Sequence, residues 1–135
     1  MTEFIWPVRV YWEDTDAGGV VYYANYLKFM ERARTEWLRA LGIEQGPLKE
    51  QAGVILVIAH IEASYRRPAR YGDMLQVVSR LTEIGKASLS FEQRIYRHAV
   101  GGELLLEGRA RAGCIDASSF KPRALPELIV EKMKL

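Results

Sequence analysis

Cysteine and histidine are nearly missing from this 135-residue chain, which has one cysteine, Cys114, and two histidines. One thiol forms no internal disulfide, and the set falls short of the four ligands that a structural zinc site takes. A disulfide-stapled secreted protein is therefore not expected, no metal site is expected, and the reducing cytoplasm is the expected compartment. Long apolar runs are missing too. Nowhere do about 18 uncharged apolar residues follow one another, so no membrane-spanning helix is expected. The opening residues, with Glu3 and Pro7, lack the basic start and unbroken apolar run of a secretory leader. Nor does one sign of charge dominate: 19 basic against 17 acidic residues leave +2, too little to argue for nucleic acid. Repeats, low-complexity tracts and linkers long enough to separate domains are also lacking, so one domain over residues 1–135 is expected. At 49% hydrophobic residues, a chain of this size buries about two thirds of its unfolded surface.

What is present is ordered by hydrophobic period. Residues 4–11 are rich in aromatic and β-branched types and read as a strand. They run into Trp12-Glu13-Asp14-Thr15-Asp16-Ala17-Gly18-Gly19, an acidic loop closed by two glycines. Tyr26, Met30, Ala33, Trp37 and Leu41 then recur at steps of three and four, one face of a long helix. Arg32 and Glu36 stand at i, i+4 spacing for an ion pair, and Gly42 suits the residue just past the helix end. From Gly53 the period becomes two. Val57, Ala59, Ile61, Ala63 and Tyr65 alternate with Leu56, Ile58, His60, Glu62, Ser64 and Arg66.

Further strands are expected over 74–83, 87–97 and 103–116. In the second of these, Ala87, Leu89, Phe91 and Ile95 oppose Ser88, Ser90, Glu92, Arg94 and Tyr96. Gly101-Gly102 signals a hairpin, Cys114 aligns with Ala110 and Ala112 as a small core residue, and a short helix is expected over 125–133. The order of one strand, a long helix and four strands implies an α+β fold. Its economical form is a curved, mostly antiparallel five-stranded sheet wrapped around one long central helix. Several large or apolar residues fall on the far face of the sheet, so association of copies is expected.

Glu13, Asp14 and Asp16 crowd three carboxylates in front of the long helix, and three readings compete. They can favour the helix macrodipole, form a hard-cation site, or supply a catalytic base or nucleophile. No second cluster of hard ligands supports the metal. The run Gly19 to Ala24 offers no Ser, Thr or Asp as a helix cap, and Asn25 falls inside the first turn. Uncapped N–H donors at the positive end of a helix are the parts of an oxyanion hole. These residues alone do not identify a reaction.

The run Trp12 to Tyr22, with Asn25-Tyr26 and Glu31-Arg32-Ala33-Arg34, strongly resembles the opening of hotdog-fold thioesterases of the 4-hydroxybenzoyl-CoA thioesterase family. Within it the chain is most similar to the bacterial Tol–Pal-associated acyl-CoA thioesterase branch. The resemblance continues through Tyr65, Pro68-Ala69-Arg70, Ser88-Leu89 and Gln93-Arg94-Ile95 to Lys121-Pro122-Arg123-Ala124-Leu125-Pro126, nearly the whole chain. It implies the fold reached above, dimers that pair into tetramers, and sites at the subunit interface. It implies hydrolysis of acyl-coenzyme A in lipid metabolism, with Asp16 as general base or nucleophile and the backbone N–H near Tyr23 polarising the thioester carbonyl. No cofactor is implied, since coenzyme A belongs to the substrate; acyl carrier protein is the other implied partner. Many members of the closer branch carry a histidine where this chain has Tyr23, but a tyrosine still donates a hydrogen bond and its backbone N–H is unaffected.

The resemblance adds Val21 and Tyr22 as substrate-binding candidates. Arg66 and Arg67, inside the alternation of cations and aromatics over 65–71, suit the phosphates of coenzyme A, a solvated strand edge or, third, nucleic acid. Lys86 and Ser88 stand where relatives place ligand contacts, and read equally as a turn lysine and an exposed strand serine. His60 is a substrate candidate or a structural strand histidine, and Asp73 after Gly72 reads as a turn residue. Two rival functions remain: a non-catalytic module binding acyl-CoA or acyl carrier protein, and a hotdog hydratase or dehydratase. The latter usually wants a histidine beside the acid, and none is near this helix start.

Overall fold

The computed structural model describes residues 3–134. Strands β1 (Glu3–Arg9), β2 (Val54–Tyr65), β3 (Met74–Ile84), β4 (Ser88–Arg97) and β5 (Glu103–Asp116) form one sheet in the order β1-β3-β4-β5-β2. Every pairing is antiparallel. The two strands that flank the long helix α1 (Asn25–Ala40) in sequence thus become the two edges of the sheet. Pro7, which has no N–H to give a ladder, sits in edge strand β1. This is the α+β hotdog arrangement that the resemblance implies.

Helix α1 is held to one face of the sheet by two apolar clusters. Phe29, Met30 and Ala33 pack with Leu75, Val77, Ile95 and Leu105. Trp37 and Leu38 pack with Leu81, Leu89, Phe91 and Ile129 of the closing helix Glu127–Lys134. Each large side chain so buried stabilises the fold by about 1.5–3 kcal/mol. Gly42, with φ of 83°, ends α1 one residue past the C-cap Leu41. Among the described residues only Arg34, Ser79 and Gln93 are buried polar side chains, and they form one connected network. The Gln93 amide N–H groups donate to the Met30 carbonyl (3.0 Å) and Ser79 Oγ (2.9 Å). Arg34 donates to Gln93 Oε1 (2.7 Å) and to Glu31 (2.9 Å).

Three expectations are corrected. The even alternation read along β2 breaks at a bulge: Ile58 pairs with Ala112 and His60 with Arg111, leaving Ala59 over. Leu56 and Ile58 therefore share the helix-facing side with Ile61, Ala63 and Tyr65, while Val57 joins His60, Glu62 and Ser64 outside. Glu36 pairs with Arg39 at 2.9 Å rather than with Arg32. On the outer face Ile5, Val78, Ile55 and Val57 only flank a charged middle. There a row of alternating charge, Glu62, Arg109, Glu92, Arg80 and Glu3, crosses all five strands in register. The half-exposed apolar surface runs instead along the helix side of edge strand β2, at Leu27, Ile58 and Ile61. A short helical segment over Gln45–Pro47 and Leu48–Ala52 also appears, and Gly53 ends it with φ of 70°.

Candidate active site

Beyond β1 the chain makes a single tight turn over Trp12–Asp14, capped by the Asp14 carboxylate, which accepts the Tyr11 N–H at 2.8 Å. A hairpin follows at once: Asp16 N–H donates to the Val20 carbonyl and Gly19 N–H to the Asp16 carbonyl. Gly19 takes φ of 80°, which permits so tight a reversal. Asp16 Oδ1 accepts the Gly18 N–H at 2.8 Å, and a Cβ on Gly18 would stand 3.1 Å from that oxygen. The three acids therefore have different fates. Asp14 is consumed as a cap, whereas the Asp16 carboxylate is exposed and keeps Oδ2 free of partners among the described residues.

The loop is tied to the start of α1. Asp14 gives its carbonyl to both the Tyr22 N–H (2.9 Å) and the Asn25 side-chain amide (2.9 Å). Val21 N–H donates to the Ala69 carbonyl, and Ala69 N–H donates to the Tyr26 hydroxyl at 3.0 Å. Ala24 is the N-cap and makes no side-chain cap. The N–H groups of Tyr23, Ala24 and Tyr26 have no acceptor among the described residues, so backbone donors stand free at the positive end of a 16-residue helix, those of Tyr23 and Ala24 just ahead of its first residue.

Around them lies a tyrosine cluster. Ring centroids are 4.8 Å apart for Tyr22 and Tyr23, 6.4 Å for Tyr23 and Tyr65, and 5.3 Å for Tyr26 and Tyr65. With Val21, Arg66 and Arg67, the rings of Tyr23, Tyr26 and Tyr65 line a hollow of about 290 Å³. The neighbouring Tyr23 hydroxyl raises the Tyr22 pKa, with desolvation and the Asp16 charge adding to it. Burial raises that of Tyr26. These phenols are neutral at neutral pH. A second, more apolar groove of about 380 Å³ runs between α1 and the free edge of β2, walled by Leu27, Ile58 and Ile61, with Glu31 and Arg34 beside them.

Of the residues singled out in the sequence, Asp16, Val21, Tyr22, Tyr23, Arg66 and Arg67 are brought to one end of the molecule. Arg66 and Arg67 pair with Glu107 (2.9 Å) and Glu103 (3.5 Å) at exposed positions. His60 is on the outer face, bound to Glu62 at 2.9 Å. Lys86 and Ser88 lie at the β3–β4 turn. Ser88 pairs with Gly113 and Tyr65 with Leu106, which puts about 23 Å of β5 between them at roughly 3.3 Å per residue. Within one chain those three do not reach Asp16. Sequence reasoning passed over Asn25 as a loop tether and Tyr65 as a hydrogen-bond donor. It also missed Gln93, whose only signal is a polar residue where Leu89, Phe91 and Ile95 define the inward positions. Among the described residues no three of His, Cys, Asp and Glu cluster closely enough to hold a metal ion, and no helix is long and apolar enough to cross a membrane.

Comparison with known proteins agrees in family over nearly all of the chain. The model of the thioesterase-like superfamily matches residues 10–133. An acyl-CoA thioester hydrolase, YbgC, of Escherichia coli O6:H1 is 46% identical over 133 residues, covering 98% of this chain and 97% of its own. An acyl-CoA thioesterase YbgC of Haemophilus influenzae is 42% identical, covering 92% and 89%. Among solved structures, a probable thioesterase from Bartonella henselae superposes with a TM-score of 0.86 at 33% identity, covering 93% of this chain and 100% of its own. A 1,4-dihydroxy-2-naphthoyl-CoA thioesterase from Synechocystis superposes with a TM-score of 0.91 at 23% identity over 98% and 96%, a likeness of fold.

Proposed function

The chain belongs to the thioesterase-like superfamily, and on that footing we propose that it hydrolyses acyl-coenzyme A to a free acid and coenzyme A. One observation carries this reading: a carboxylate with a free oxygen, Asp16, sits on a tight turn tethered to a helix start with unused N–H donors. The thioester carbonyl oxygen accepts from the N–H groups of Tyr23 and Ala24, which stabilise the oxyanion as the carbonyl carbon becomes tetrahedral. Asp16 either takes a proton from the attacking water or attacks the carbon itself. The coenzyme A thiolate leaves without needing a strong acid, which suits a site with no histidine beside it. Val21 and Tyr22 flank the thioester, and Arg66 and Arg67 attract the phosphates of the nucleotide end.

The chain acts as a single domain in a homo-oligomer, a dimer or a pair of dimers. Edge strand β2 leaves its outer backbone groups unpaired beside the apolar groove at Leu27, Ile58 and Ile61. A second copy laid along that edge covers the groove for the acyl group and offers the route by which His60, Lys86 and Ser88 approach a site. A reducing cytoplasm suits a chain whose one cysteine is free and buried; acyl carrier protein is the alternative bearer of the thioester.

The test is release of free thiol from acyl-CoAs ranging from acetyl to palmitoyl, with an aromatic one included, by the parent and by Asp16→Asn. Turnover should drop by about 100-fold or more in the variant. Activity within a few-fold of the parent would remove Asp16 from the chemistry. A folded parent that cleaves no thioester would mark a binding module.

A further inference from the structure

We propose that Tyr65 is a positioning residue for this reaction, its hydroxyl anchoring the peptide between Tyr23 and Ala24 so that the Ala24 N–H is held toward the substrate. The inference rests on the reading of these N–H groups as oxyanion donors. In a planar trans peptide the C=O and N–H point in opposite directions, so fixing one fixes the other. Tyr65 Oη donates to the Tyr23 carbonyl at 2.9 Å. The peptide before it is fixed in the same manner, because the Tyr22 carbonyl accepts the Asn25 N–H at 2.8 Å. The Tyr23 and Ala24 N–H groups are therefore both braced from behind. One brace is local backbone; the other is a side chain delivered from the end of β2, 42 positions away.

Stability alone does not call for that second brace. Tyr23 is 63% exposed and Tyr65 46% exposed, so water can satisfy both groups if the bond is lost. The bond does impose direction, and a carbonyl that accepts a hydrogen bond makes the N–H of its own peptide a stronger donor. The ring is seated for this task between Tyr23 (6.4 Å, 87°) and Tyr26 (5.3 Å, 72°). Tyr26 is itself pinned by the Ala69 N–H. Burial, then the neighbouring Tyr26 and Tyr23, raise the Tyr65 pKa, which keeps the phenol protonated as a donor at neutral pH.

Tyr65→Phe removes the hydroxyl and leaves the ring contacts. With the best-cleaved acyl-CoA of the panel, kcat should fall about three- to ten-fold while KM holds. Melting temperature, and affinity for a non-hydrolysable thioether analogue of that acyl-CoA, should match the parent. Asp16→Asn is measured alongside. If it retains turnover, the reading of the site fails, whatever Tyr65 does. If it is inactive while Tyr65→Phe keeps the parental kcat, the site stands and the role of Tyr65 is overturned. A raised KM with unchanged kcat, or a kcat loss that follows a lowered melting temperature, would equally overturn it, as a substrate contact or a merely structural residue.

Discussion

Arg34 is the one ionised side chain buried among the described residues, and replacing it tests whether the polar core network is a linked unit. Its charge is incompletely compensated: desolvation depresses the guanidinium pKa, opposed by Glu31, whose side chain is 52% exposed. Arg34→Met keeps the stem and removes the donors. Gln93 Oε1, buried and bonded only to Arg34, is left without a donor, at a cost of about 1–3 kcal/mol. Loss of the charged hydrogen bonds adds to this, and relief from burying a cation partly offsets it. A net loss of about 2–3 kcal/mol follows, or a fall of roughly 6–15 °C in melting temperature for a chain of this size. The triple change Arg34→Met, Gln93→Leu and Ser79→Ala removes donor and acceptor together. It should return to within about 1 kcal/mol of the parent, because no polar atom is then stranded. Urea unfolding followed by circular dichroism, at one fixed protein concentration to hold assembly constant, measures both. A single variant costing under about 0.5 kcal/mol, or a triple variant worse than the single, would refute the linkage.

A methyl group on Gly108, in β5 beneath α1, would meet both the Glu62 carbonyl and Met30 Cε at 2.8 Å. Met30 can swing but the strand cannot, so Gly108→Ala should cost about 1–3 kcal/mol in the same unfolding assay. The acid limb of stability should involve Glu103 and Asp116. Both carboxyls are held below their ordinary range, Glu103 by its hydrogen bond from Arg97 and Asp116 by the backbone N–H groups of Ser119 and Ser118. Depressed carboxylates contribute stability above the unfolded pKa and lose it as pH falls through the folded value. Asp116→Asn should flatten the melting-temperature profile below pH 4 relative to the parent while changing its slope little near neutrality.

Much of this fold is written in local pattern. The periodicity from Tyr26 to Leu41 defines α1, and the alternation Leu89, Phe91, Ile95 defines β4. The loop from Trp12 to Tyr23 and the start of α1 are contiguous in sequence, so the candidate acid and its neighbouring donors are legible together. Other features were not legible for physical reasons. The Ala59 bulge adds one residue to an apolar stretch without a glycine or proline to mark it. Gln93 and Arg34 look like surface residues until each is seen to satisfy the other. The bond from Tyr65 to Tyr23 spans the whole of α1 and β2, and no spacing rule encodes it. His60, Lys86 and Ser88 are far from Asp16 in one chain, and sequence carries no measure of such distance.

The extra residue in β2 acts as a phase counter. Ala59 carries one methyl group, yet the parity of every later position in the strand depends on its being left out of the ladder. With Ala59 bulged out, Tyr65 faces the helix start; were Ala59 paired in regular alternation, the same tyrosine would turn to the outer surface and Ser64 would take its place. What matters at this position is thus that the residue stays unpaired more than which side chain it carries. Deleting residue 59 would close the bulge with Tyr65 still facing inward, whereas an inserted residue between it and Tyr65, paired in the ladder, would turn the tyrosine away from the loop it braces.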